Sequence, residues 1–306
     1  MALITAMVTV ALIATLAATA LWQQWRSLQV ESAERQRQQA LWLLSGALDW
    51  ARLVLREDAR SGNTDHLAEP WALPLQEARL SSFLASSSDG VSEEDLGVAE
   101  RVFLSGQIRD LQARLNVFNL IQGDQASAVD VAAFDRLFEL LGLPHEALEV
   151  LVRQLVAASR SGGRFVMPQR VSQLTWLGLT PAQLARLDPF ITWLPMRTGV
   201  NLNTATPEVL HACVPGLRLA DAQRAVLQRS AQPWRTLEEA AQQLGDAGKA
   251  VSGPGHQVAS NSFEVIGRVR LGSTTVTERS VIQRDDNQRI LWRERGVLAG
   301  PVRSLQ

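Results

Sequence analysis

The sequence predicts an α+β fold, in which a long N-terminal helix packs on a small antiparallel sheet interrupted by a large all-helical insert. Three observations carry that reading. Residues 1–45 contain neither Gly nor Pro, so nothing in them breaks a helix. Residues 128–250 repeat apolar positions at helical spacing, with Thr or Pro start signals. From Ser262 the pattern switches to β-branched runs separated by turn residues.

Taken in order, Met1–Trp22 is apolar, and Arg26 is the first ionised side chain. As a helix at about 1.5 Å per residue it extends roughly 35 Å, enough to cross a bilayer core of about 30 Å. Three readings fit this segment. In a cleaved secretory signal, Ala18-Thr19-Ala20 would supply the small-residue site, but a basic leading region is missing. The others are a transmembrane anchor and a helix that packs against sister helices in a filament; hydropathy does not separate these two. Trp22 and Trp25 suit a membrane interface.

Residues 26–57 then mix charge with Leu28, Val30, Leu41, Leu44, Leu48, Leu53 and Leu55, predicting an amphipathic continuation that ends near Arg60-Ser-Gly-Asn63. Residues 61–100 read as loop-rich, with Pro70, Pro74 and the serine-rich tract Ala85-Ser-Ser-Ser-Asp-Gly90. Gly106–Val117 reads as a strand with imperfect alternation. Helices follow over Val131–Gly142, Leu148–Ala158, Val171–Leu177, Pro181–Leu187, Pro207–Val214, Leu219–Arg229 and Leu237–Leu244. Three strands close the chain: Ser262–Leu271, Thr274–Gln283 and Gln288–Arg295, with turns at Gly272-Ser273 and Asp285-Asp-Asn287.

Composition narrows function. Lys plus Arg total 30 against 31 Asp plus Glu, so charge offers no reason to expect a polyanionic partner. Cys213 is the single cysteine, which rules out an intramolecular disulfide and reads as a small buried apolar group. His66, His145, His211 and His256 lack metal-ligand spacing, and there is no nucleophile elbow, P-loop or dinucleotide fingerprint. No catalytic or cofactor-binding residue is therefore assigned.

Val200–Leu210, followed by Pro215-Gly216, is similar to a helix-hairpin-helix module of the kind carried by membrane-anchored competence DNA receptors. Phosphate binding there needs a tight glycine hairpin. In Gly216-Leu-Arg-Leu219 the second glycine is replaced. Arg218, Arg224, Arg229 and Arg235 are matched by Glu208, Asp221, Glu238 and Glu239. The block reads as a packing unit, with membrane-anchored DNA binding as the alternative.

The element order, together with Met1-Ala-Leu-Ile-Thr5, Arg56-Glu-Asp-Ala59, His66-Leu-Ala-Glu-Pro-Trp71, Asp110–Leu120 and Gly199–Leu210, resembles the minor pseudopilin K family of type II secretion systems. The resemblance implies a pilin-like head divided as follows: a membrane or pilus-core helix (1–25), its amphipathic continuation (26–60), the first part of the head (61–125), a SAM-like or helix-hairpin-helix-like insert (126–255) and a C-terminal β-meander (256–306). It implies a non-enzymatic, single-pass protein of the bacterial inner membrane with its head in the periplasm. The implied role is to cap the pseudopilus tip and help initiate assembly. The implied partners are the minor pseudopilins I and J, the major pseudopilin, and the exoprotein or secretin. Met1, Leu3, Thr5, Val8, Leu12, Leu16 and Trp22 would carry the helix contacts.

Thr5 stands where most pilins have a Glu that pairs with a neighbour's N-terminal amine, and its absence is similar to the K family pattern. The same residue also reads as a small helix position bonding its own backbone. The resemblance further implies calcium, but the acidic stretch usual in the family is replaced by Ala157-Ala-Ser-Arg-Ser-Gly-Gly-Arg-Phe165. Asp285 and Asp286 remain as candidate metal ligands, with a hairpin turn as the simpler account of both.

Overall fold

The structure, a computed structural model, describes residues 1–82, 99–160, 166–251, 253–272, 274–285 and 288–296. Helix α1 (Ala2–Ser61) is continuous over 60 residues. Its buried positions, Ala40, Leu44, Leu48, Ala51 and Leu55, recur every three or four residues, so only one stripe of its C-terminal third enters a core. The helix stops where Gly62 turns extended and its amide bonds to Asp58 O.

The stripe lies on a five-stranded antiparallel sheet of order β1-β2-β9-β10-β11. Here β1 is Leu75–Arg79 and β2 is Val102–Asp110. After the insert come β9 (Ser262–Leu271), β10 (Thr274–Gln283) and β11 (Arg289–Gly296). Alternation sends Leu104, Ile108, Val265, Val269, Val276 and Ile282 to the helix side, where they pack with Leu44, Leu48 and Leu55. Gly106 and Gly267 face each other in register under the helix. A Cβ on Gly267 would sit 3.0 Å from Leu44 Cδ2, so glycine sets how closely helix and sheet approach.

The insert leaves the sheet after Asp110 and returns at Ser262, on the adjacent strand. It contains β3 (Leu115–Asn116), β4 (Ile121–Gln122), β5 (Gln125–Ala126), α2 (Ala128–Leu140), α3 (His145–Arg160) and α4 (Pro181–Leu187). Then follow β6 (Ile191–Thr192), β7 (Val200–Asn201), α5 (Pro207–Cys213), α6 (Leu219–Ala231), α7 (Leu237–Gln243) and β8 (His256–Gln257). Its own core includes Phe134, Leu137, Phe138, Leu151, Leu155, Val209, Leu210 and Trp234. Leu111 and Leu194 of the insert pack on Val281 of the sheet's other face.

Several boundaries differ from the sequence expectation. The single strand over Gly106–Val117 is corrected: β2 begins at Val102 and ends at Asp110. There Asp110 Oδ1 accepts the Gln112 amide at 2.7 Å and bends the chain before pairing resumes in β3. β1 was missed within the loop-rich region, because Leu-Gln-Glu-Ala-Arg at a sheet edge has no alternation to read. Val171–Leu177 is a 3-10 helix, ended by Gly178 at φ +101°. Two short strands, β6 and β7, lie inside the block read as helical, and each pairs in parallel with a strand outside it, β3 and β8. The serine-rich tract, Ser273, and Asp286 and Asn287 of the second turn lie outside the described residues.

Candidate functional site: an apolar helix and a buried polar joint

The first functional element is the exposed part of α1. Its most apolar 18-residue window has a mean hydropathy of 2.2, and none of that window is buried. Met1, Leu3, Val8, Leu12, Leu16 and Trp22, all marked from sequence, are exposed, as is Thr5. Such a surface needs lipid or other apolar helices around it. Thr5 Oγ1 donates to Met1 O at 2.8 Å and Ala2 O at 3.2 Å, and Thr9, Thr15 and Thr19 likewise bond backward along the helix. The hydroxyls are thus satisfied within the helix and carry no cost into an apolar medium. Arg26 lies 5.7 Å over the Trp22 ring, where the apolar segment gives way to charge.

The second element is a buried joint where α1, the sheet and the insert meet. Four of the stretches that resemble the K family converge on it: Arg56–Ala59, His66–Trp71, Asp110–Leu120 and Gly199–Leu210. Asp110 Oδ2 accepts Ser260 Oγ at 2.6 Å, Thr204 Oγ1 at 2.5 Å and Asn201 Nδ2 at 3.1 Å. Asn203 takes the Trp234 amide at 2.9 Å and donates to Trp234 O at 2.8 Å, tying β7 to the segment between α6 and α7. Gln112 Oε1 accepts the Asn261 amide at 2.6 Å. Beneath these, Arg284 donates to Asp58 Oδ2 at 2.8 Å, Asp65 Oδ2 at 2.5 Å and Ser260 O at 2.6 Å. Trp71 packs edge-on against Phe263 at 5.1 Å and donates its indole N–H to Glu69 Oε2 at 2.6 Å.

Burial dominates the electrostatics. It pushes Asp110 up to about 6, against the lowering effect of the bonds from Ser260, Thr204 and the Gln112 amide. Asp58 is raised to about 7, first by burial, then by the neighbouring Glu69 and Asp65, with Arg284 opposing. Cys213 is buried and its thiol is pushed up to about 12, so it is an inert core group.

The helix-hairpin-helix resemblance resolves into packing. Gly216, at φ +80°, makes the turn between α5 and α6. Arg218 and Arg224 both pair with Asp221, and Arg229 is buried and donates to the carbonyls of Leu202 and Ala205. Asn201, Asn203 and Thr204 of the motif are bonded within the joint and Thr206 caps α5, so among the described residues these arginines and polar side chains are engaged in packing the block rather than grouped for a phosphate. Asp285 serves the β10–β11 turn, accepting the Arg289 amide at 3.2 Å; Asp286 lies outside the described residues. Residues 157–160 bring no carboxylate, so the calcium implied by resemblance finds no donor set there. Asp65 and Arg284 were not singled out from sequence, because only the fold brings them together.

The sequence profile described as "Type II secretion system (T2SS), protein K" matches residues 200–259. A curated relative, "Type II secretion system protein K" of Pseudomonas aeruginosa PAO1, is 27% identical over 338 residues, covering 99% of this chain and 94% of the relative. The fold is similar to a chain in the crystal structure of the GspK-GspI-GspJ complex from the enterotoxigenic Escherichia coli type 2 secretion system. The TM-score is 0.65 at 22% identity, covering 86% of this chain and 98% of that one. The profile falls on the stretch that carries Asn201, Asn203 and Thr204 of the joint, the relative aligns over nearly the whole chain, and the long helix on an interrupted antiparallel sheet is shared: this chain is similar to type II secretion system protein K along its length and in its fold.

Proposed function

We propose that the chain acts as a non-enzymatic minor pseudopilin that joins the minor pseudopilins I and J in a ternary complex at the tip of the pseudopilus. The observation that carries this reading is the division of α1. Its first part is apolar and wholly uncovered, and its last third is fixed on the head. A helix built this way stands in the inner membrane before assembly and packs among sister helices afterwards, with the head in the periplasm. The solved complex of a similar chain with GspI and GspJ supports the choice of partners.

The first turn of α1 carries no acidic side chain, and Thr5 is bonded to its own helix. A subunit without that acid has none to pair with a preceding subunit's amine, and its bulky insert suits a position above which nothing stacks. The division at residues 25, 60, 125 and 255 follows the same reading, as do contacts with the major pseudopilin, the exoprotein or the secretin.

The test is co-purification of the full-length chain in detergent with its I and J counterparts, with mass measured by light scattering and duplex DNA offered in parallel. A 1:1:1 complex without DNA binding supports the proposal. Salt-dependent DNA binding with no ternary complex would overturn it in favour of an anchored nucleic-acid receptor.

A further inference from the structure

We propose that Asp58, Asp65 and Glu69 form a binding site for a divalent cation of the oxygen-liganded class, at the foot of the long helix. One carboxylate oxygen from each residue lies within 4.8 Å of the other two. An ion that takes oxygens at about 2.3–2.6 Å can bridge oxygens up to roughly 5 Å apart, so no rearrangement of the backbone is needed.

A second observation points to the same place. Asp65 is 1% exposed, and its Oδ2 accepts the Ser260 amide at 2.6 Å and Arg284 Nη2 at 2.5 Å. Its Oδ1 has no hydrogen-bond partner among the described residues. A fully buried carboxylate oxygen left without a donor is costly, and a cation ligand bond is one way to satisfy it.

Charge gives the valence. With all three carboxylates ionised, they outnumber the one guanidinium, that of Arg284, by two negative charges in a largely buried site. Asp110 lies behind Asp65 and adds to the excess. The His66 ring, 3.7 Å from Glu69, faces the outer side of the cluster. A dipositive ion neutralises the three carboxylates and the arginine together, and water completes its shell from the side of Asp58. The ion would clamp the last turns of α1 to the loop that follows it. This cluster is separate from Asp285 in the β10–β11 turn.

Trp71 supplies a built-in reporter, because its indole is bonded to Glu69. The full-length chain in detergent is titrated with terbium at neutral pH and excited through tryptophan. The proposal expects saturable sensitised emission that calcium displaces, lost in Asp65→Asn. Glu69→Gln guards against misfolding, since it keeps an oxygen for the His66 amide and the Trp71 indole; it should also lose the emission. Trp71→Phe should dim the signal yet keep the rise in melting temperature on adding calcium. Absence of saturable emission would overturn the proposal, as would emission indifferent to both carboxylate variants. So would a melting temperature that responds to lowered pH but not to calcium, magnesium or manganese; the occupant would then be a proton.

Discussion

Asp58 and Arg284 meet at 2.8 Å across 226 residues of chain, with side chains only 10% and 9% exposed. The pair joins the end of the long helix to the end of β10, so the stalk is fixed to the sheet by charge as well as by its leucine stripe. Removing the arginine would strand Asp58 and Asp65 in a low-dielectric site. Arg284→Met should therefore destabilise the head by about 3–5 kcal/mol, read as a shift in the urea midpoint at neutral pH. An unchanged midpoint would mean that the carboxylates are neutralised by other means.

The joint also makes stability depend on pH. Burial holds the Asp110 carboxyl at about 6 in the folded chain against an ordinary value of 3.8, so between those values the folded state holds a proton that the unfolded chain has released. Its contribution to stability is therefore greatest below about pH 4, falls as pH rises towards 6, and is flat above. The span is about 3 kcal/mol. Asp110→Asn removes this slope and, because its amide nitrogen faces donors, lowers stability by about 1–3 kcal/mol at pH 7. Urea unfolding of both forms from pH 4 to 7 measures the difference in slope; parallel profiles would show that Asp110 does not carry it.

Asn203 is bonded through both ends of its amide to the backbone of Trp234. Asn203→Ala leaves a buried amide and carbonyl without partners, at a cost of about 1–3 kcal/mol. Hydrogen exchange should accelerate at the Trp234 amide and around α7 while β9 and β10 stay protected. Uniform acceleration across the sheet would show that insert and head unfold as one unit.

Val8 lies within the apolar run Met1–Trp22 and is exposed on the helix. Val8→Arg should oppose membrane insertion by about 2.5–3.5 kcal/mol. The checking measurement is alkaline extraction of cell membranes, in which the variant should move to the soluble fraction while its head remains folded. Retention in the pellet would count against the span.

The architecture was legible where one element decides its own fate. Ser262–Leu271 and Thr274–Gln283 carry dense β-branched residues, and the structure keeps both bounds. Pro181–Leu187 starts on a Thr180–Gln183 capping box and also keeps its bounds. β1 was illegible because an edge strand of five residues is held by its neighbour rather than by its own pattern. The joint was half legible. Asp58, Glu69, Asp110 and Asn201 stood in stretches that resemble the family, but Asp65 and Arg284 are 219 residues apart and acquire meaning only once β10 is laid beside β9.

The way the insert is attached has a consequence for how such a protein can change. The Leu111 amide bonds to Ser262 O at 3.0 Å, so the sheet continues as though β2 and β9 were the arms of a plain hairpin. The loop closed by that contact can lengthen or shrink at little entropic expense. Residues far from the junction are thus free to be traded for a different module, while those at the rim, from Asp110 to Gln112 and Asn201 to Thr204, are not. The head behaves as a socket whose contacts are fixed by their chemistry, and the bulk mounted in it is the part open to reinvention.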